Sequence, residues 1–495
     1  MILPLFVIIP LFAAILTSLC RKLSNKLLDS IVLLSTLGLA FLSLKSINEV
    51  SVNKMVVYKV GNWVPKLSIH LVMDGLTVLM LVTVNVLLLI LVVYSIQHME
   101  KVIGKWKYYS LLMILISGVN GVLISADLFN AFVFLEVTLI AVYILASFYN
   151  EGENFEASFK YMVLGSISSM FILLAIALVY AKTSSLSFVD IIANLNTNKG
   201  AYNIFIVLLF VIGLSLKATL VPFHSWVPDA YTSAPSPISA VYSGVICKVL
   251  GLYLLMRMFY NILGINYALL NLLSILGVVS IIVAVILALY QWDFKRLLAY
   301  HSVSQIGYIA LGIGLGTPLG ILGGIFHLIN HSTFKPLLFL NAGSIEYAAN
   351  TRNIKDLGGL SEKMPVTSGS SMIASMSISG VPPLSGFWSK IIIIVACIQA
   401  NHYWFAFLAV LGSILTLASF LKVQRYIFYG YIKDNLKNIS EVPFFMKIAM
   451  ITLALLCMFM GLLLLPKIYD NFLGLAVNAL LRGKDYAVFV GDLLR

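Results

Sequence analysis

The sequence predicts an all-α polytopic membrane protein with about fourteen transmembrane helices. Of its 495 residues, 61% are hydrophobic and only 11% are charged, and the mean hydropathy is +1.01. A soluble domain carries about 25% charged residues and could not cover this much apolar surface. The composition therefore excludes a soluble protein. Apolar runs of about twenty residues, the length that crosses a bilayer as a helix, also recur along the chain.

The apolar runs give the predicted spans in order along the chain. The first eight cover residues 2–20 and 27–45, a run beginning after residue 74, a run beginning near residue 109, and residues 127–149, 156–180, 202 to beyond 222, and 233–259. The remaining six cover residues 268–290, 297–315, 318–341, 366–398, 403–429 and 445–466. We expect the tail, residues 470–495, to lie along the membrane surface.

A polar stretch separates the second and third spans. Within it, polar and apolar residues alternate over residues 55–58 and again over residues 67–70. Such alternation is typical of a strand with one buried face. The sequence therefore predicts a small β-hairpin in an exposed loop.

The net charge of +12 reflects basic residues in the loops between spans. Cytoplasmic loops carry an excess of Lys and Arg. The basic clusters fall mainly in odd-numbered loops, although the hairpin loop also carries Lys54, Lys59 and Lys66. This pattern predicts that both termini face outside, and it explains the charge without a nucleic-acid partner.

Four cysteines lie far apart in the sequence and form no CxxC pattern: Cys20, Cys247, Cys397 and Cys457. Their spacing indicates neither an iron–sulfur cluster nor a zinc site. We therefore predict no metal site and no cofactor on this chain.

Two predicted spans are interrupted by proline. The seventh breaks at Pro222 and the twelfth at Pro382-Pro383, each beside a lysine, Lys217 or Lys390. Paired interruptions in two halves of a chain indicate a transporter built from repeats. Five spans separate the two, and because five is odd the second copy would be inverted. Two unrelated proline kinks, which membrane helices tolerate, are the alternative.

These features divide the chain into four predicted parts. Residues 1–108 form three N-terminal helices with the hairpin loop, and residues 109–260 form the first five-helix repeat. Residues 266–430 form the second repeat. Residues 431–495 form the fourteenth helix and the tail.

Several ionisable residues lie inside the predicted spans. A charge at the centre of a bilayer costs at least about 2.5–3.5 kcal/mol, so such residues are rare and usually functional. The sequence places the following inside spans: Glu136, Lys217, Lys248, His327, His331, Lys335 and Lys390. Together they predict a route for protons, or for Na⁺ exchanged against protons.

A buried carboxylate and a buried lysine can act as a switch. Apolar surroundings disfavour the ammonium form of a lysine, and a nearby carboxylate stabilises it. We expect Glu136 and Lys217 to form this pair, with Lys248 accepting the proton next, then the histidines, then Lys390. His301, near the start of the tenth span, is either an interfacial packing residue or a point where protons enter.

Each candidate also has a structural interpretation. Glu136 and Lys217 could form a static salt bridge, and Lys248 or Lys390 could extend its amine to the interface. His327 and His331, four residues apart on one helix face, could be hydrogen-bonded packing residues; a metal site would need a third ligand. Lys335 could satisfy carbonyls near Pro336.

Six segments together resemble the antiporter-like subunits shared by respiratory complex I, Mrp-type Na⁺/H⁺ antiporters and membrane-bound hydrogenases. The segments are residues 127–136 (DLFNAFVFLE), 217–229 (KATLVPFHSWVPD), 234–240 (APSPISA), 293–307 (DFKRLLAYHSVSQIG), 327–335 (HLINHSTFK) and 380–390 (GVPPLSGFWSK). The FVFLE wording looks more like the D-type Mrp subunit and the hydrogenase-linked relatives than like most complex I subunits. The resemblance covers most of the chain.

The resemblance implies fourteen helices in two inverted repeats, with Glu136 and Lys217 as the controlling pair and Lys248 as the bridge to the second half. It implies a proton-translocating subunit with other membrane subunits as partners, in the plasma membrane of a prokaryote. An autonomous Na⁺/H⁺ antiporter is the alternative hypothesis. A membrane redox enzyme using haem or quinone is a third.

Overall fold

The structure is a computed structural model that describes residues 2–62, 68–100, 102–195, 200–264 and 266–494. Lys66 and Leu67, part of the predicted hairpin, lie outside the described residues. The first half contains α1 (Leu5–Leu19), α2 (Asn25–Asn53), β1 (Met55–Lys59), β2 (His70–Asp74), α3 (Gly75–His98), α4 (Lys105–Ile124), α5 (Leu128–Ala146), α6 (Gly152–Thr183), α7 (Phe188–Asn194), α8 (Ala201–Lys217), α9 (Val227–Ser233) and α10 (Ser236–Ile262).

The second half contains α11 (Tyr267–Leu289), α12 (Phe294–Gly314), α13 (Pro318–Ala349), α14 (Pro365–Ser379), α15 (Ser385–Gln399), α16 (Tyr403–Phe428), α17 (Phe444–Leu464), α18 (Pro466–Asn471), α19 (Leu473–Leu481) and α20 (Asp485–Leu494). A helix lies at each of the fourteen predicted spans. In the described part of the chain, nine helices are long and apolar enough to cross a membrane: α2, α3, α4, α5, α6, α10, α11, α16 and α17. The protein is thus predominantly helical and polytopic, as predicted.

Polar residues at the helix starts explain where several helices begin. The side chains of Asp74, Asp127 and Asp293 accept hydrogen bonds from backbone N–H groups in the first turns of α3, α5 and α12. Ser24 and Thr317 do the same for α2 and α13. Such N-caps satisfy donors that have no partner within the helix.

The predicted hairpin exists, but its second strand lies further along the chain than predicted. β1 pairs antiparallel with β2 from Lys59 opposite His70 to Met55 opposite Asp74. All five residues of β2 are buried, and Leu71 also pairs with Ser125. A strand covered on both faces reads as a continuous apolar run, which is why alternation misplaced it.

Two helices break where the prolines interrupt the sequence. α8 ends at Lys217 and α9 begins at Val227, with a cis peptide bond before Pro222 between them. α14 ends at Ser379 and α15 begins at Ser385, and the gap contains the cis bond between Pro382 and Pro383. Both breaks therefore leave short non-helical segments at the level of the buried lysines.

The interior of the bundle is formed by α10, α12 and α13. Nearly every described residue in these helices is buried. In α13, no residue between Gly320 and Ile345 is exposed. The outer helices, by contrast, present large apolar side chains such as Phe12, Phe41 and Phe159 to the surroundings. This arrangement matches a bundle whose exterior faces lipid.

The C-terminal tail does not simply lie on the surface as predicted. α19 buries most of its residues, and the backbone of Leu475 approaches Gly75 so closely that an added Cβ would lie 2.3 Å from its carbonyl oxygen. α20 contacts α7. The tail is therefore a packed part of the bundle, since its apolar face covers the start of α3.

Candidate functional site

Glu136, Ser169 and Lys217 meet where α5, α6 and α8 pack together. The Ser169 hydroxyl donates to Glu136 Oε1. Lys217 Nζ donates to Ser169 Oγ at 3.1 Å and to the Gly165 carbonyl at 2.8 Å. The expected direct contact between Glu136 and Lys217 is absent here, because the Ser169 hydroxyl occupies the position between them.

Close packing of α6 against α8 places these groups. Ser168 donates to the Gly213 carbonyl at 2.7 Å, and a Cβ at Gly213 would lie 2.7 Å from Ile172. Small residues let helix backbones approach in this way. Lys217 is consequently 4% exposed, whereas Glu136 remains half-buried on the side of α5.

Lys248 lies near the middle of α10, in a stretch wound as a π-helix over Tyr242–Tyr253. It is 1% exposed, and its amine donates to the Ser243 carbonyl one turn earlier. The Ser243 hydroxyl lies 2.9 Å from that of Ser302 on α12. Wide helical turns of this kind occur frequently at functional sites.

His327, His331 and Lys335 follow one another along one face of α13 and are all fully buried. His327 Nδ1 lies 2.9 Å from Ser389 Oγ on α15. Lys335 donates to the Leu298 carbonyl on α12, not to a carbonyl near Pro336, and α13 continues through that proline. Neither ring nitrogen of His331 has a hydrogen-bond partner in the described structure.

Lys390 lies in the first turns of α15, directly after the second helix break. Its amine donates to the Ile378 carbonyl at 2.8 Å and lies 4.6 Å from the ring centroid of Tyr308. The side chain is 3% exposed. The position near the break therefore does not bring the amine to the interface.

His301 is fully buried, and α16 packs against it. Its Nε2 lies 2.8 Å from Ser419 Oγ. It lies one turn along α12 from the carbonyl that Lys335 contacts. Whether His301 is a packing residue or a point of proton entry stays a prediction.

We define the buried row as the seven ionisable residues described above: Glu136, Lys217, Lys248, His327, His331, Lys335 and Lys390. Among the described residues, the lysines of this row have no carboxylate partner within ion-pair distance. Each amine is held by a backbone carbonyl instead. The charges of Lys248 and Lys335 both act on His331, and those of Lys248 and Lys390 act on His327. Protonation of one member is therefore coupled to protonation of its neighbours.

Unpartnered polar atoms cluster beside the row on α12 and α13. They belong to His301, Gln305, His327, Asn330 and His331. Buried polar atoms are normally hydrogen-bonded to protein or to ordered water. This region therefore has the polar character that a proton route requires.

A buried ion pair outside the row was not predicted from the sequence. Arg257 on α10 donates to Asp74 Oδ2 at 2.7 Å and also contacts Asp74 Oδ1. It further donates to Thr77 Oγ1 at 2.9 Å and Asn261 Oδ1 at 3.1 Å. Both charged groups of this cluster are therefore paired. The signal in the sequence was an arginine inside the eighth predicted span.

One end of the bundle carries a network of ion pairs that we call the charged rim: Lys160–Asp229 at 3.0 Å, Arg296–Asp229 at 2.8 Å, Arg352–Asp293 at 2.5 Å and Lys295–Glu346 at 2.7 Å. The rim borders a cavity of about 370 Å³. Burial acts to raise the pKa of Asp229, but its hydrogen bonds and ion pairs with Lys160 and Arg296 outweigh this and lower it.

Within the described residues, no three His, Cys, Asp or Glu side chains come close enough together to hold a metal ion. His327 and His331 lie on the same helix face, so they cannot bind one haem iron from opposite sides.

Comparison with known proteins identifies a family, related sequences and a solved structure to which this chain is similar. Residues 125–416 match the family described as NADH:quinone oxidoreductase/Mrp antiporter, TM. The D-type subunit of the Na⁺/H⁺ antiporter of Alkalihalophilus pseudofirmus is 32% identical over 399 residues, 80% of each chain. The NADH-quinone oxidoreductase subunit N of Desulforudis audaxviator is 32% identical over 426 residues, 85% of each chain. A chain of the Mrp complex from Dietzia superimposes with a TM-score of 0.90 and 26% identity, covering 100% of this chain and 99% of that one.

Proposed function

Because the chain belongs to the NADH:quinone oxidoreductase/Mrp antiporter transmembrane family, we propose that it is the proton-translocating, antiporter-like subunit of a multi-subunit membrane complex. Its partners are other membrane subunits, as in the complexes that contain its relatives. Similarity to bacterial subunits supports a prokaryotic plasma membrane as its location. The concentration of basic residues in odd-numbered loops supports termini that face outside.

The buried row is the observation that carries this proposal. Groups that exchange protons occur on α5, α8, α10, α13 and α15, and all but Glu136 are almost completely buried. Holding so many ionisable groups away from water costs several kcal/mol each unless they are paired. A purely structural row would be expected to pair them with carboxylates, as Arg257 is paired with Asp74.

The Glu136–Ser169–Lys217 contact supplies the proposed control point. When Glu136 approaches Lys217, the carboxylate stabilises the ammonium form. When Glu136 moves away, the ammonium loses that support and releases its proton toward Lys248. The proton then passes through the imidazoles of His331 and His327, or through Lys335, to Lys390.

The proposal includes the finer architecture of fourteen transmembrane helices. In this arrangement α8–α9 and α14–α15 are the broken helices of two inverted five-helix repeats, residues 109–260 and 266–430. Residues 1–108 and 431–495 flank the repeats. The two breaks and the lysine beside each, Lys217 and Lys390, support this arrangement.

A cation-exchange role and a redox-driven role both fit this family. Similarity to the D-type antiporter subunit over 80% of the chain and the structural match to an Mrp complex favour exchange of Na⁺ against protons by the complex. A Na⁺ site needs several oxygen ligands, and the buried row is mainly basic. We therefore assign the proton side of the exchange to this chain and expect Na⁺ to move elsewhere in the complex.

Proton movement in vesicles that contain the assembled complex tests the proposal. We expect Lys217→Ala to slow Na⁺-driven proton movement strongly while the complex still assembles. Lys182→Ala is the matched control, since Lys182 is a solvent-exposed lysine at the far end of α6. Normal proton movement in an assembled Lys217→Ala complex would show that the pair is structural and would contradict the proposal.

A further inference from the structure

A line of polar side chains, which we call the polar stripe, runs along α16: Ser413, Thr416, Ser419 and Lys422. Each member neighbours the next on the helix surface because they are three residues apart, and the stripe winds around the helix as it goes. Thr416 and Ser419 are fully buried and the two end members are half-buried, whereas Phe407, Ile414 and Leu421 are at least half exposed. The middle of the polar stripe therefore points into the bundle.

The stripe meets polar residues of α12 that run in the opposite direction. Ser419 Oγ lies 2.8 Å from His301 Nε2, and Ser413 Oγ lies 3.2 Å from the Tyr308 hydroxyl. Gln305 lies between His301 and Tyr308, and both atoms of its buried amide lack a partner in the described structure. We call these polar groups between α12 and α16 the polar seam: His301, Gln305 and Tyr308 on one side, Ser413 and Ser419 on the other.

The outer end of the seam is covered by Lys422. Its amine donates to the carbonyls of Leu289 at 2.7 Å and Gln291 at 2.8 Å, and lies 4.8 Å from the Trp292 ring centroid. Trp292 directly precedes Asp293 of the charged rim. Lys422 is half-buried, and its amine lies beside the residue that directly precedes the rim.

The inner end of the seam reaches the buried row. Lys335 donates to the carbonyl of Leu298, one turn before His301 on α12. At the other extreme, Lys390 lies 4.6 Å from the centroid of the Tyr308 ring. The seam therefore approaches the row at two points, near Lys335 beside His301 and near Lys390 beside Tyr308.

We propose that Lys422, Ser419 and His301 form a second proton access route, which leads from the charged rim to Lys335 without passing Glu136 and Lys217. This inference rests on the proposed function of the buried row. A proton taken up at the rim moves from the Lys422 amine to the His301 imidazole, which then passes a proton to the Lys335 amine. Ser419 is a positioning residue that fixes which ring nitrogen of His301 carries a proton.

If the contacts of Lys422 have only a structural role, substituting it should have a different effect from the one that proton access predicts. Lys422 could simply cap the C-terminal carbonyls of α11, as basic side chains often do. Lys433 at the same end also holds a backbone carbonyl, that of Lys355, but has no contact with the seam. Comparing Lys422→Met with Lys433→Met therefore separates proton access from carbonyl capping.

The test measures Na⁺-driven proton movement by the assembled complex in vesicles, across a pH series. We expect Ser419→Ala to slow it by about fivefold, the effect of losing one ordinary hydrogen bond, here the one that orients the imidazole of His301. Its pH profile should also shift, because His301 would no longer be held in one tautomer. Ser419→Thr, which keeps the hydroxyl, should restore both. Lys422→Met should slow the movement similarly, and Lys433→Met should not.

Measurement of Lys217→Ala in the same series separates the two proposals. If Lys217→Ala slows proton movement while Ser419→Ala leaves its rate and pH profile unchanged, the second route is wrong and the proposed function stands. If Lys217→Ala has no effect, the proposed function itself is wrong. Should Lys422→Met fail to assemble, Ser419→Ala alone decides, because removing one hydroxyl from α16 leaves its packing intact.

Discussion

A single hydroxyl determines how the carboxylate and the first lysine of the buried row communicate. Ser169 donates to Glu136 and accepts from Lys217, so a small rotation of its side chain would break or make either contact. The hydroxyl is both donor and acceptor, which neither the carboxylate nor the ammonium can be. We infer that Ser169 transmits changes at Glu136 to Lys217.

Replacing Ser169 with alanine should uncouple the two residues. Hydrogen bonds to charged groups contribute about 1.5 kcal/mol or more, so we expect Ser169→Ala to slow proton movement by about tenfold. Ser168→Ala is the matched control, since the neighbouring serine bonds the Gly213 carbonyl outside the row. Equal rates for the two variants in the vesicle assay would show that Ser169 has no such role.

The sequence indicated the charged members of the row but not the residues that connect them. A lysine in an apolar run is conspicuous because burial is costly, and Lys217, Lys248 and Lys390 were found on that ground. Ser169 was missed because serine is common in membrane helices and has no distinctive pattern. The Asp74–Arg257 pair was missed because its members lie 183 residues apart.

At the scale of helices, proline positions and apolar runs predicted most of what the structure contains. They predicted the interruptions at Pro222 and Pro382, since proline cannot donate the hydrogen bond that continues a helix. They did not predict the π-helical winding around Lys248, because that depends on how α10 packs. The register of β2 was also missed, since burial on both faces removed its alternation.

The second helix break depends on close contact between α14 and α15. A Cβ at Gly386 would lie 1.9 Å from the Ser377 carbonyl oxygen, so Gly386→Ala must push α15 away. Overpacking of this kind costs about 1–3 kcal/mol, and the shift would also move Lys390. We therefore expect a lower thermal unfolding midpoint together with slower proton movement.

Gly369 on α14 provides the control for that substitution. An added Cβ there meets no atom within 4 Å, and alanine in a helix interior is favoured over glycine by about 0.5–1 kcal/mol. Gly369→Ala should leave the unfolding midpoint unchanged or raise it. A Gly386→Ala protein as stable and active as Gly369→Ala would refute the close contact.

At the scale of the whole molecule, the charged rim joins the two halves of the chain. Asp229 follows the first helix break, and it pairs with Lys160 of the first half and Arg296 of the second. The rim is the place where α6, α9 and α12 are held together by charge. Its strength must therefore depend on the ionisation of Asp229.

Low pH should weaken the ion pairs that Asp229 forms in the charged rim. The pKa of Asp229 in the folded protein lies below its ordinary value of 3.8, so its ion pairs stabilise the fold at neutral pH and this contribution disappears as pH falls through the folded-state pKa. We expect Asp229→Asn to lower the thermal midpoint at a pH of about 7 and to have less effect at a pH of about 3.

Asp434→Asn serves as the control, because Asp434 pairs with Lys437 on the exposed surface, where ion pairs contribute little. Its midpoint should match that of the unsubstituted protein at both pH values. A destabilisation by Asp229→Asn that is independent of pH would show that the rim acts through packing rather than through ionisation.

The depth of the buried row in the bundle has an electrical consequence. Glu136, Lys248 and His331 each lie near the middle of their helices, so in the proposed arrangement the row runs along the plane of the membrane. A charge moving in that plane does no work against the membrane potential, whereas crossing the membrane involves about 2.3 kcal/mol per 100 mV. The potential therefore acts on protons only as they enter and leave the row, and voltage dependence should arise in the access routes.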